Sequence, residues 1–291
     1  FEPSRIEYPD TSQRHLQFVY HSIGNLDKVL SEFNRRVELF YGEAIEVFNY
    51  LIKDLDIISV FSYQESGTQG SWERDKKIKQ FCKSNQINWK ESQRDGILRG
   101  IKNREDWNKK WHLKMHTPVI QNKYTISKET HLEHPFLMPS ILESQLKDYP
   151  NYYQPPGEKN AWRYLKSFTN QRGFNYQRHI SKPMESRMSC SRLSPYLAWG
   201  NMSIKQAFQF IGTHPNGTRN NKAFSAMLTR LHWHCHFIQK FEMECRYETE
   251  CINSGYEILP HEKNEAFIKA WKTGNTGYPL IDACMRAVES T

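Results

Sequence analysis

The 291-residue chain has no apolar run long enough to cross a bilayer as a helix, which excludes a helical membrane span. No signal peptide is visible. Walker, GxGxxG, GxSxG and HExxH patterns are missing, and with them the common signatures of phosphate loops, dinucleotide folds, serine hydrolases and zinc proteases. The six cysteines (Cys82, Cys190, Cys235, Cys245, Cys251, Cys284) form no CxxC pair and keep no regular spacing. They read as reduced thiols of a cytoplasmic-type compartment, not as a disulfide framework. The scarcest local ingredient is negative charge. From Lys159 to Lys240, thirteen Lys/Arg stand against one acid, Glu185, in a chain of formal net charge +8. Such a stretch is either an electrostatic footprint for a polyanion or a solvated basic surface. Acids return only at Glu242, Glu244, Glu248 and Glu250.

Hydrophobic residues make up 38% of the chain, enough for the core of one or two domains, although the mean hydropathy of -0.78 is polar. The first part alternates helix and strand. Thr11-Ser12 caps a helix with Leu16, Val19, Tyr20, Ile23, Leu26, Leu30 and Phe33 at helical spacing. "VELFY" (37–41), "IISVFSY" (57–63) and "INWKES" (87–92) are expected as strands, separated by the helices "EAIEVFNYLIKDL" and the Ser-capped "SWERDKKIKQFCKSN". Strands alternating with helices imply a parallel sheet. From about His116 to Gly157 periodicity fades into a proline-rich connector. Helical patterns follow to the end: "EKNAWRYLKSFTNQRG" with Gly173 as its stop, "NMSIKQAFQFIG" with Ser203 as its cap, the long "NKAFSAMLTRLHWHCHFIQKFE", and "PLIDACMRAVE" with Pro279 in its first turn. The expected fold class is therefore α/β followed by all-α.

Three stretches invite chemistry. "SCSRLSPYLAWGN" (189–201) sets Ser189, Cys190, Ser191, Arg192 and Ser194 before an apolar helix. Hydroxyls, free N–H groups and a guanidinium there suit a phosphate or pyrophosphate, with Tyr176, Arg178 and Lys182 upstream as helpers. The plainer alternative is an ordinary cap beside a surface arginine. In "LTRLHWHCHF" (228–237), His232 and His236 share a helical face, but no third metal ligand is apparent and no metal is expected. Arg230, Trp233, His234 and Phe237 put bases beside aromatics, a pattern that stacks on nucleobases, unless Trp233 is simply core. "WKTGNTGYPLIDACMR" (271–286) reads by itself as a well-formed helix start, with Asp282 favouring the dipole.

Together these stretches resemble the DNA photolyase/cryptochrome family. "SRLSPYLAWGNMS" is similar to its (T)SRLSxxLxxGxxS flavin signature, and "WKTGNTGYPLIDACMR" to WxxGxTGYPxVDAxMR. "LHWHCHF" falls where the family has its Trp-Arg-Glu-Phe-Tyr helix. The resemblance implies an α/β antenna-type domain over 1–115 lacking its first strand, a connector over 116–157, and the N-terminal part of a helical FAD-binding domain over 158–291. It implies FAD as cofactor, with an antenna chromophore of unknown identity as a possible second. Tyr176, Cys190, Ser191, Arg192, Leu193 and Ser194 match diphosphate- and ribityl-contacting positions, with Cys190 standing where Thr is common. Arg230, Trp233, His234 and Phe237 fall at the substrate side, Trp233 at the tryptophan that stacks on the lesion.

The implied activity is that of a deoxyribodipyrimidine photo-lyase. An electron from light-excited reduced FAD splits a pyrimidine dimer flipped out of the duplex, then returns. The alternative is a cryptochrome-type blue-light receptor that binds FAD without repair; a nucleic-acid binder without cofactor is a third reading. Arg230 stands at the family's repair-site carboxylate, His234 at its arginine, and His261 near an electron-relay tryptophan. Damaged DNA is the implied partner of a monomer, in the cytoplasm or on a bacterial nucleoid. Further flavin-ring contacts of the family fall beyond residue 291, so residues 1–291 are expected to be a fragment, retaining flavin weakly or not at all and inactive alone.

Overall fold

The computed structural model describes residues 1–128, 132–219 and 221–290. Thr291, the last residue of the expected helical part, lies outside the described residues. The chain forms two compact units, Phe1–Tyr149 with Gln154–Cys245, and Pro150–Tyr153 with Arg246–Thr291.

The first unit opens with the short α1 (Pro3–Ile6), α2 (Gln13–Ser31) and α3 (Ala44–Asp54), then β1 (Ser59–Tyr63), α4 (Gln69–Ser84) and β2 (Asn88–Ser92). Helices α5 (Trp107–His116), α6 (Ser140–Lys147) and α7 (Glu158–Ser167) follow. Next come α8 (Tyr176–His179), α9 (Pro183–Ser189), α10 (Ser194–Ala198), α11 (Ile204–Gly212) and α12 (Asn221–Met243). The second unit holds α13 (Glu265–Lys272) and α14 (Pro279–Glu289).

Strands β1 and β2 pair in parallel, Ser59 with Asn88 through Tyr63 with Ser92, and α4 makes the crossover. A small core of Ile78, Phe81, Cys82 and Ile87, backed by Phe48, Val60 and Trp89, glues the helices to this ribbon. The expected strand at 37–41 does not form. Its backbone is extended, but Val37 donates to the Asp27 carboxylate (2.7 Å), Tyr41 to the Phe136 carbonyl (3.0 Å), and the Phe40 carbonyl accepts from the Phe1 ammonium (2.7 Å). These three groups are satisfied one at a time by different partners instead of by a neighbouring strand.

Local rules place most helix starts. Ser12 accepts from His15 N–H (3.4 Å), and Ser203 and Gln206 make a reciprocal capping box, a device worth about 1 kcal/mol. Helix α4 is an exception: it begins two residues before Ser71, whose hydroxyl donates to the Thr68 carbonyl (2.8 Å) instead of capping. In α2 the deepest residues are Phe18 and Gln17, while Leu26 is 46% exposed. Gln17 is buried because it donates to the carbonyls of Gln145 (2.9 Å) and Asp148 (2.6 Å).

The main core runs through both halves of the first unit. Trp107, Trp111 and Met115 of α5, Leu165 of α7, Tyr196 of α10, Ile204 and Ile211 of α11, and Phe224, Met227, Leu231 and Cys235 of α12 form one cluster with Phe18 and Ile97. The α12 spacing of three and four residues is a single stripe, and each side chain fully buried there contributes about 1.5–3 kcal/mol. Packing thus groups the chain differently from the sequence segments 1–115, 116–157 and 158–291.

Helix α7 passes into a π-helical turn, Phe168–Arg172, closed by Gly173 N–H on the Phe168 carbonyl (2.9 Å). Gly173 is required by close approach: a Cβ there would lie 2.4 Å from the Phe168 ring. This turn aims Arg172 at the segment described next.

Candidate functional site

The backbone reverses between α9 and α10. Cys190 is extended, Arg192 takes the left-handed conformation (φ 62°), and Leu193 is right-handed (φ -87°). The carbonyls of this turn are already used. Arg172 donates to Cys190 and Ser191 (3.2 Å), and also to Tyr164 (2.9 Å), while Gln154 Nε2 donates to Arg192 (2.8 Å). Ser191 Oγ accepts from Leu193 N–H (3.4 Å), and Leu193 is buried as the anchor. What remains open is donors: among the described residues the N–H groups of Arg192 and Ser194 find no partner, and both side chains are exposed. Successive left- and right-handed residues with free N–H groups make an anion-binding concavity. Burial, with the neighbouring Arg192 charge adding to it, pushes the Arg172 guanidinium below its usual range.

A cleft of about 650 Å³ lies between α8 and α12, within the usual size range of small-molecule sites. Gln177, Lys222, Ser225, Thr229, Arg230 and Trp233 line it, and no acidic side chain is among its lining residues. Along α12 the positions 222, 225, 226, 229, 230 and 233 form one helical face, opposite the core stripe. The Arg230 guanidinium lies 4.3 Å over the Trp233 ring. Burial raises the Tyr176 phenol above its ordinary value, and Arg230 pulls it partly back. Trp233 is 42% exposed and Phe237, 6.4 Å from it edge-on, is 61% exposed; Trp233 is not a core residue.

The histidines point elsewhere. His234 lines neither this cleft nor the second one described below; its neighbours are Asp95 and Arg94, its Nδ1 is buried without a partner, and burial lowers its pKa. His232 hydrogen-bonds Asn108 (2.9 Å) against Trp107 and Trp111, and His236 meets Arg104 (3.0 Å). Arg104 can only donate, so His236 accepts there and is neutral. Among the described residues no group of His, Cys, Asp and Glu is placed to hold a metal.

Residues 227–291 match the family model described as the FAD binding domain of DNA photolyase. The chain is 31% identical over 134 residues to the deoxyribodipyrimidine photo-lyase of Alkalihalophilus pseudofirmus, covering 45% of this chain and 26% of that protein. It is 28% identical over 144 residues to cryptochrome-2 of Arabidopsis thaliana, covering 47% of this chain and 23% of that protein. The fold superposes on an archaeal photolyase from Sulfolobus tokodaii, solved with two FAD molecules, at TM-score 0.73 and 24% identity, over 98% of this chain and 62% of that one. The chain is thus similar in sequence to DNA photolyases and cryptochromes alike. It spans about a quarter of the two curated relatives named here.

The Gly274–Arg286 signature is a self-contained turn. Asp282 accepts from Thr276 N–H (2.8 Å), Thr276 Oγ1 (2.6 Å) and Gly277 N–H (3.1 Å), and these bonds, the Thr276 hydroxyl's first, hold its carboxyl below the usual range. Arg286 donates to the Gly274 carbonyl (2.7 Å). Gly274 needs its left-handed backbone (φ 63°), and a Cβ there would sit 2.7 Å from the Asp282 carbonyl oxygen.

The residues present fit FAD by donor chemistry, since open N–H groups, hydroxyls and cations meet a diphosphate without a competing carboxylate. Sequence reasoning missed Arg172 and Gln154, which shape the turn, and Gln177, Lys222, Ser225 and Thr229, which line the cleft. Helical spacing back from Trp233 was the available signal for the last three. A second cleft, of about 540 Å³ and walled by Asn170, Gln171, Arg172, Asn175, His179 and Ser189, was also unsuspected.

Proposed function

We propose that this chain is part of a light-driven DNA-repair enzyme, a deoxyribodipyrimidine photo-lyase acting on pyrimidine dimers with FAD. The observation that carries the reading is the acid-free cleft between α8 and α12, with Trp233 and Arg230 at its surface. Tyr176, Cys190, Ser191, Arg192, Leu193 and Ser194 hold the cofactor's diphosphate end, with the turn's N–H groups and Arg192 as the anion contacts. Bound FAD supplies light absorption and the transferred electron. Arg230, Trp233 and Phe237 receive the flipped bases, and the basic stretch 159–240 grips strand phosphates. His234, turned toward Asp95, supports this face from behind.

The segments 1–115 and 158–291 then correspond to the antenna-type domain and the first part of the FAD domain, in a cytoplasmic monomer. A second chromophore would belong to the former. Arg230 and His234 favour a second reading, a cryptochrome-type receptor that binds FAD without repair. Incubating the full-length protein with a dimer-containing oligonucleotide, in near-UV light and in darkness, decides between them. Dimer loss in light alone is the expected result. FAD-loaded protein that leaves the dimer intact in both supports the receptor. Lesion binding should weaken steeply with salt.

A further inference from the structure

The second cleft, of about 540 Å³, opens beside the π-helical turn where α8 meets α9, and shares no lining residue with the first. Its wall holds one fixed cation, Arg172, and no carboxylate. Arg172 commits four of its five N–H donors to Ser167 Oγ (3.0 Å) and to the carbonyls of Tyr164, Cys190 and Ser191, all neutral oxygens. Its charge therefore meets dipoles and no counter-ion in these contacts. The side-chain amides of Asn170, Gln171 and Asn175 also line the cleft and make no hydrogen bond among the described residues. His179 completes the wall, and its tautomer follows from Ser189. That hydroxyl is 3% exposed, has a single proton and donates it to the Glu185 carbonyl (3.1 Å). It must then accept from His179 Nδ1 (3.1 Å), which leaves the neutral imidazole with a lone pair on Nε2.

We propose that this cleft binds a sugar phosphate, with His179 gaining a proton at Nε2 as the phosphate enters. The phosphate oxygens accept from the unused amide N–H groups, from the Ser167 hydroxyl and from the protonated imidazole. A bare phosphate would leave the three amide carbonyls idle; sugar hydroxyls donate to them. When the ligand enters as the dianion, the proton comes from solvent, and the complex holds an imidazolium against a dianion. The charged groups on the elements around His179 are Arg172 of the turn, Arg178 of α8, and Lys182, Glu185 and Arg187 at α9. Glu185 is turned to Lys182 (3.8 Å), so no free carboxylate competes for the imidazolium. Helix α12 brings Lys222 and Arg230 to α8 at Gln177 and Ile180, in the first cleft.

Calorimetric titration with ribose 5-phosphate, between pH 7 and 9 and in buffers of different ionisation enthalpy, tests this. Wild type should take up one proton per ligand, so its affinity should fall about tenfold per pH unit between pH 7.5 and 9. His179→Gln keeps a donor but cannot gain a proton; it should bind about tenfold more weakly at pH 7 and show no uptake. Asn175→Ala, at an exposed position, should weaken binding by about three- to tenfold and keep the pH slope. Inorganic phosphate should show the same slope with about tenfold lower affinity, because the amide carbonyls then find no donor. A flat pH profile in wild type, or a slope that survives in His179→Gln, places the anion elsewhere, the 190–194 turn included, and overturns the proposal. Unchanged affinity in Asn175→Ala does the same. Equal affinity for the two phosphates overturns the sugar-phosphate assignment. So does the absence of any binding at about 10 mM ligand, a concentration at which even a millimolar site fills.

Discussion

The turn at 190–194 and the turn at 274–277 carry the two signatures by which this chain resembles photolyases and cryptochromes, and they are finished in opposite ways. In the second, every strong group closes on the turn itself: Asp282 collects three donors and Arg286 takes the Gly274 carbonyl. In the first, Arg172 and Gln154 consume the carbonyls from outside and the N–H groups of Arg192 and Ser194 are left open. A signature of one family can thus encode a ligand surface in one place and a self-sufficient fold element in another. The polar accounting of each turn tells them apart.

The largest effect should come from removing the clamp. Arg172→Met leaves the carbonyls of Cys190, Ser191 and Tyr164 without their donor, at about 1–3 kcal/mol for each that stays buried, so a loss of roughly 3 kcal/mol is expected. Urea unfolding measures it. The same variant should abolish pyrophosphate binding by calorimetry, because the turn no longer faces its donors outward. Normal pyrophosphate affinity in a folded Arg172→Met protein would break the contrast between the two turns.

Gly274→Ala is next. An alanine forced to φ 63° with its Cβ 2.7 Å from a carbonyl oxygen should cost about 2 kcal/mol. The damage should appear as faster hydrogen exchange in α13 and α14, with pyrophosphate binding at the other turn unchanged. Arg192→Gly should run the opposite way. Among the described residues Arg192 is one of four non-glycine residues with positive φ, and relieving that conformation should stabilise the protein by about 1 kcal/mol. Pyrophosphate affinity should fall about tenfold through the lost charge. A stability gain without loss of affinity would mean that the strained conformation is kept for something other than the anion.

How far these features were legible follows the range of the interactions. The helix caps at Ser12 and Ser203, the core stripe of α12 and the strands at 59–63 and 88–92 follow from spacings of two to four residues, and the sequence displays them directly. The strand expected at 37–41 failed because its partners are Asp27, Phe136 and Phe1, which no local pattern announces. The donor turn was readable as a cluster of hydroxyls and a guanidinium. Its direction depends on Arg172, eighteen residues before Cys190, and on Gln154, thirty-eight before Arg192. His234 sits one residue from Trp233 yet faces Asp95, because successive helical residues are about 100° apart and the cleft takes only one face.

An unsatisfied polar group does not by itself make a site, and Glu242 gives the smallest and most exact test of that distinction. Its Oε2 is buried without a hydrogen-bond partner, and Arg99 Nε lies 3.8 Å from its other oxygen. Burial raises its pKa from 4.5 to about 6, against the pull of Arg99. A carboxyl with a raised folded pKa contributes stability that is complete below pH 4.5 and lost as pH rises through 6. Because the group is partly open to solvent, that loss is on the order of 1 kcal/mol. Glu242→Gln should remove it: the variant and wild type should differ little at pH 4.5, with the variant more stable by about that amount at pH 7.5. Taking the difference between the two proteins cancels the opposite contribution of His232, His234 and His236. Burial lowers their pKa values, so protonation below pH 6.5 destabilises the fold. If the two proteins keep a constant difference from pH 4.5 to 7.5, Glu242 is ionised at no cost in the folded state, and an unseen partner must satisfy it as an anion would satisfy Arg192.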